Sequence, residues 1–232
     1  MSLLKSVSVK KKLLDANSQN FEGVSVAVCV PTRDMLHAVF AYSLAELMAY
    51  NASVGIRTTL HFNMGTLIIN QRETLVQQAL EVGATHVLWL DSDMQFPKDT
   101  TERLLKHNVP VVAGNYATRR KPFKSVAYKR LMDWRSYLVH SDTENFEGLT
   151  KVDGVGMGCM LEDITVYRSL EKPWYALEYV ERSDDHMGED MRHCRELAKQ
   201  GISVMIDNEL SRKLGHVGSI SFTHDLVEPN LE

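Results

Sequence analysis

His86-Val-Leu-Trp-Leu-Asp-Ser-Asp-Met94 is the stretch that decides the fold. Thr85-His-Val-Leu-Trp-Leu90 has the length and apolar content of a buried strand, and two carboxylates follow it, one residue apart. In open α/β sheets, ligands bind outside the carboxyl ends of the strands. Side chains at i and i+2 of an extended segment point the same way, so Asp91 and Asp93 are expected to converge on one cation. Hard oxygen ligands suit Mn²⁺ or Mg²⁺, whose octahedron diphosphate oxygens and water would complete. The same residues also read as turn and N-cap positions ahead of a helix starting at Pro97.

Working outward, strand and helix alternate. Val24-Ser-Val-Ala-Val-Cys-Val30 is β-branched and closed by Pro31, as a buried strand would be. Leu36, Val39, Phe40, Leu44, Leu47 and Met48 recur at helical spacing up to about Ala52. Gly55 ends that helix and Ile56 to Phe62 alternates as a second strand. A helix over about Leu67 to Val82 stops at Gly83, and Val109 to Ala113 gives a fourth strand. The second half is less regular, with short strands expected at 125–128, 151–155, 159–162 and 203–206 and a helix at about 189–200. The pattern predicts an α/β fold, a mostly parallel central sheet in one domain with a mixed second half.

Composition sets bounds on this reading. The 232 residues are 44 % hydrophobic and 24 % charged, close to the soluble globular average, which argues against disordered, collagen-like and coiled-coil classes. The longest nearly apolar run, Val24 to Val30, is far short of the roughly 20 residues that cross a bilayer. Lys10, Lys11 and Lys12 precede a polar run, so no secretory signal is read. Cys29, Cys159 and Cys194 are scattered and odd in number, as suits a reducing compartment. A cytoplasmic location is expected. With 26 basic and 30 acidic residues the net charge is -4, which argues against a general nucleic-acid coat but allows a local basic patch.

Val28-Cys-Val-Pro-Thr-Arg33, Leu88-Trp-Leu-Asp-Ser-Asp93, Gly188-Glu-Asp-Met-Arg192 and His216 in Lys213-Leu-Gly-His-Val-Gly218 occur in an order that resembles the GT-A-fold glycosyltransferases. The resemblance is to the family-2-like group, which includes phage-encoded members, over roughly residues 24–218. It implies a Rossmann-related GT-A-like domain at 23–218, with a donor half at about 23–115 and an acceptor half at about 116–218. An appended segment (1–22) and a tail (219–232) flank it. It further implies transfer of a hexosyl group from a nucleotide-diphosphate sugar to an acceptor hydroxyl, with a metal ion at Asp91, Asp93 and His216. Pro31, Thr32, Arg33, Asp91 and Ser92 would line the donor site, and Arg72 would reach the diphosphate as a guanidinium fork. Asp153, Gly154 and Gly156 would line the acceptor side, and Asp190, or Glu189, would take the acceptor's proton if the enzyme inverts configuration.

Each residue also has a plainer reading. Arg72 suits a salt bridge to Glu73 or a nearby acid, Glu189 and Asp190 suit the positive end of a helix, and His216 between glycines suits a loop. Two rival functions stay open. Leu88 to Asp93 also fits a haloacid-dehalogenase-like phosphohydrolase, though Met94 departs from that motif. A non-catalytic module could instead hold an anionic polymer on Arg119-Arg-Lys-Pro-Phe-Lys124 with Lys129 and Arg130. The sugar, the base, the acceptor and the oligomeric state are not written in these motifs.

Overall fold

The computed structural model describes residues 21–129, 137–138, 147–181, 184–218 and 221–227. Residues 1–20 of the appended segment, Arg130, and residues 219–220 and 228–232 of the tail lie outside them. The first half alternates as its periodicity predicts: β1 (Ser25–Thr32), α1 (Ala38–Ser53), β2 (Arg57–Met64), α2 (Ile68–Glu81), β3 (His86–Leu90), β4 (Met94–Gln95), α3 (Thr100–Lys106) and β5 (Val111–Ala113). Then come β6 (Ala127–Lys129), β7 (Tyr137–Leu138), β8 (Leu149–Val152), β9 (Gly154–Val155), β10 (Cys159–Asp163) and α4 (Val166–Ser169). The chain continues through β11 (Glu178–Val180), β12 (Asp185–Met187), α5 (Glu189–Lys199), β13 (Val204–Asp207), α6 (Asn208–Ser211), β14 (Gly215–Val217) and β15 (Ser221–Thr223).

Seven strands make the central sheet in the order β2-β1-β3-β10-β5-β13-β8. β2, β1 and β3 pair in parallel, as do β5 and β13, while β10 and β8 run against their neighbours. The expected α/β class and mostly parallel sheet are therefore observed. The two halves of the chain are not side by side, because β10 of the second lies between β3 and β5 of the first.

Alternation along the strands supplies one core on each face of the sheet. Val26, Val28, Val30, Leu88 and Leu90 point to one face and meet Phe40, Leu44 and Leu47 of α1. Ala27, Cys29, Val87 and Trp89 point to the other and meet Leu75, Val76 and Ala79 of α2, with Cys194 and Leu197 of α5 farther along. Helices on both faces thus leave the carboxyl ends of β1 and β3 as an open rim.

Three local expectations are corrected. Pro31 does not end β1: it pairs with Asn63 and Thr32 with Met64, a position open to proline because β3 pairs β1 only as far as Cys29. The helix after Pro97 starts at Thr100, following a turn in which Thr100 N–H donates to the Pro97 carbonyl (3.2 Å). The 151–155 strand splits at Asp153 into β8, in the central sheet, and β9, which pairs with β6 in a separate three-stranded sheet.

Candidate functional site

The site is built where β3 leaves the sheet. Met94 N–H donates to the Asp91 carbonyl (3.0 Å), so residues 91–94 form a turn and not the extended segment expected, and the two carboxylates take different partners. Asp91 Oδ1 lies 3.1 Å from Arg72 Nη2, and Arg72 Nε lies 3.3 Å from Glu189 Oε1. Arg72 is only 2 % exposed and its guanidinium lies over the Trp89 ring at 5.2 Å. It therefore ties β3 to the start of α5 from beneath, instead of presenting a fork to a diphosphate. The salt-bridge reading holds, but its acids are Asp91 and Glu189 and not Glu73, whose Oε1 accepts from Tyr175 N–H.

Asp93 faces the other way. Its Oδ2 accepts from Arg119 Nη1 (2.8 Å) and lies 3.5 Å from His216 Nε2. His216 is not a loop residue: β14 pairs with β4, placing His216 opposite Met94, and Val217 N–H donates to the Asp93 carbonyl (2.7 Å). The Nδ1 of His216 is 3.0 Å from the Ala117 carbonyl. That contact requires Nδ1–H and leaves Nε2 facing Asp93, as a proton donor when the ring is charged and as a metal ligand when it is neutral. Partial burial would raise the Asp93 carboxyl, but the hydrogen bond and charge of His216, with Arg119, outweigh it and hold it below the ordinary range. Among the described residues no three His, Cys, Asp or Glu side chains converge as a metal-binding group. Asp93 and His216 come together, and Asp91 stays with Arg72.

Asp93 lines one cavity, and its partners Arg119 and His216 line a second. The first, about 440 Å³, is lined by Pro31, Thr32, Arg33, Asp91, Ser92 and Asp93 among others, so the expected donor residues other than Arg72 share one space. Gln71 closes its floor, donating to the carbonyls of Thr32 and Asn63. The second, about 390 Å³, is lined by Tyr116, Tyr128, Gly156, Arg119, Arg120, Asp190 and His216 among others. Burial, then the charge of Glu189, pushes the Asp190 carboxyl up to about 6. Met191 N–H donates to its Oδ1 (2.7 Å). A Cβ on Gly188 would lie 2.7 Å from that oxygen, so glycine there permits the orientation.

The glycine run has a steric cause. A Cβ on Gly156 or Gly158 would lie 2.6 Å from the Tyr116 hydroxyl. Gly158 N–H donates to that hydroxyl (3.0 Å), and the Tyr116 ring stands edge-on to His216 at 5.2 Å. Gly156 thus lines the second cavity, while Gly154 is buried in β9. Asp153 is an exception to the expected acceptor set: it is exposed and lines a different, 120 Å³ hollow beside Cys194 and Gly201.

A buried polar cluster beneath the site is absent from the motif reading. Glu162 and His193 are both 0 % exposed. Glu162 Oε1 lies 2.7 Å from His193 Nε2, and Oε2 accepts from Trp89 Nε1 (2.9 Å) and from the Tyr167 hydroxyl. Tyr167 reaches the Tyr175 hydroxyl (2.8 Å), and Tyr175 N–H donates to Glu73 Oε1 (2.8 Å). The available signals were an acid inside the apolar run Cys159-Met-Leu-Glu162 and a histidine one turn after Glu189.

Fold and site together define a three-layer α/β protein with a carboxylate-lined cleft at the strand ends. No family model and no curated protein sequence matches the chain. Among solved structures, the A197 protein from STIV superposes with a TM-score of 0.54 at 14 % identity, covering 84 % of this chain and 86 % of that one. A glycosyltransferase involved in the glycosylation of the major capsid of PBCV-1 gives a TM-score of 0.34 at 14 % identity, covering 65 % of this chain and 69 % of that one. The first likeness shows a shared fold; the second is too low to show one. No helix among the described residues is long and apolar enough to cross a membrane.

Proposed function

We propose that this protein is a glycosyltransferase that moves a sugar from a nucleotide-diphosphate donor to an acceptor hydroxyl. The observation that carries the reading is that Asp93 lines the cavity at the strand ends with the expected donor residues, while its partners Arg119 and His216 line a second cavity together with Asp190. Asp93 and His216, the latter in its neutral form with Nδ1–H on the Ala117 carbonyl, have the donor types that would fit Mn²⁺ or Mg²⁺, with diphosphate oxygens and water completing the coordination. Such an ion, when bound, supplies charge stabilisation to the departing diphosphate.

The chain's own residues do the rest. Thr32, Arg33 and Ser92 line the space for the nucleotide. Asp190 accepts the proton of the acceptor hydroxyl through its carboxylate oxygens if the reaction inverts configuration, and orients that hydroxyl if it retains. Arg72 holds Asp91 and Glu189 in register, so β3 and α5 present their ends at a fixed separation. The phosphohydrolase reading would need Asp91 as a free nucleophile, and the Arg72 contact at 3.1 Å counts against it.

The test is release of nucleoside diphosphate from a panel of nucleotide sugars in Mn²⁺. Wild type is expected to release it and Asp93→Ala to lose at least 100-fold of the rate, in line with loss of one strong electrostatic stabiliser. Release by Asp93→Ala at the wild-type rate overturns the assignment.

A further inference from the structure

We infer that the acceptor carries a phosphate group near its reactive hydroxyl, held by Arg120 at the rim of the cavity that Asp190 lines. This rests on the sugar-transfer reading above and adds the acceptor's chemical class to it.

The charges of the two cavities carry the argument. The first has two carboxylates, Asp91 and Asp93, against one guanidinium, Arg33. A diphosphate arriving with a divalent cation suits that acidic lining. The second has two guanidiniums, Arg119 and Arg120, against one carboxylate, Asp190. Two guanidiniums thus line the cavity that Asp190 lines, in a protein whose net charge is -4. Arg119 is already committed, since its Nη1 donates to Asp93 Oδ2 and to the Val217 carbonyl (3.0 Å). Arg120 makes no ion pair among the described residues and is exposed at the cavity wall.

The segment that carries Arg120 is a built turn. Thr118 N–H donates to the Lys124 carbonyl (2.8 Å), Lys124 N–H donates to Thr118 Oγ1 (3.1 Å), and Ala117 bridges Ser125. The turn holds four basic residues and no acid. Its fixed ends keep Arg120 beside the cavity, where a planar guanidinium matches two phosphate oxygens at once. Tyr128, half-buried in the lining of the same cavity, offers an aromatic ring to a sugar or a base.

The test titrates the full chain calorimetrically with glucose, glucose 6-phosphate and a ten-nucleotide single-stranded DNA. Glucose 6-phosphate is expected to bind at least tenfold more tightly than glucose, the effect of one charge-assisted hydrogen-bond pair. Arg120→Ala is expected to erase that preference and Arg120→Lys to keep part of it. If the oligonucleotide binds more tightly than the sugar phosphate, with affinity falling steeply as salt rises, the phosphate belongs to a polymer; if it binds more weakly, the phosphate belongs to a small acceptor. Equal binding of the two sugars, binding of neither, or a preference that survives Arg120→Ala overturns the inference. A parallel titration with nucleoside diphosphates reads the donor cavity alone. Its failure, with the Arg120-dependent preference intact, overturns the donor assignment and leaves the anion site standing.

Discussion

If the transfer inverts configuration, Asp190→Asn is expected to lower its rate by about 10²- to 10⁴-fold, the range general-base help contributes, and to leave the fold at least as stable near neutral pH. Both halves follow from where the carboxyl sits. Burial and the Glu189 charge push its pKa up to about 6, so the native state favours the protonated form more than the unfolded chain does. A carboxyl raised in this way makes the protein less stable as pH climbs from its ordinary range to about 6, and the cost persists above that. Asparagine removes the cost together with the base. The wild-type rate should rise tenfold per pH unit below about 6 and level off above it, and the asparagine variant should show neither limb. A pH–rate profile beside a melting curve checks this. A variant that loses rate only in proportion to lost folded protein contradicts the assigned role.

Glu162→Ala is expected to destabilise the fold by about 3–5 kcal/mol, as removal of one partner of a buried charged pair does. The change strands His193 Nε2 in a fully buried space and takes one partner each from Trp89 Nε1, which keeps the Tyr167 hydroxyl (3.1 Å), and from Tyr167, which keeps the Tyr175 hydroxyl (2.8 Å). For a chain of this size that is a fall in Tm of roughly 10 °C or more. Burial alone would raise the Glu162 carboxyl, but the charge and hydrogen bond of His193 outweigh it and hold it below the ordinary range. Its contribution is therefore present above that range and lost as pH falls through its native value. Glu162→Gln, which keeps an oxygen for Trp89 and Tyr167, should lose much less. Scanning calorimetry of the two variants decides the matter, and equal melting temperatures for alanine and wild type would contradict the cluster's importance.

Much of the first half was legible because strict period-2 and period-3.6 patterns have one stable outcome in a buried sheet. Val26, Val28 and Val30 alternate with Ala27 and Cys29, and the two sets enter opposite cores. The second half was harder for physical reasons. A strand's own residues do not encode which neighbour it pairs with, so the antiparallel insertion of β10 between β3 and β5 left no local mark. β4 and β14 are two and three residues long, too short to show a period, yet their pairing brings His216 to Asp93. The acidic residues of the site were readable as types and as order along the chain. Their partners were not: a fork reaching for phosphate and a buried cation clamping two carboxylates look alike in sequence, and Arg72 is the second. The resemblance placed Asp153 on the acceptor side with Gly154 and Gly156, and at the break between β8 and β9 it is exposed and lines a different hollow.

Sugar transfer as proposed requires a nucleotide-sugar donor in the cavity lined by Pro31, Thr32 and Asp91 at the ends of β1 and β3. The most direct measurement is a thermal-shift series with nucleoside diphosphates and their sugars, with and without Mn²⁺. A ligand present at 100 times its dissociation constant should stabilise the fold by about 2.7 kcal/mol. That corresponds to a rise in Tm of several degrees. We expect at least one nucleotide sugar to give such a shift, larger with Mn²⁺ than without and lost in Asp93→Ala. Unchanged melting across the whole panel in both conditions would contradict the central claim.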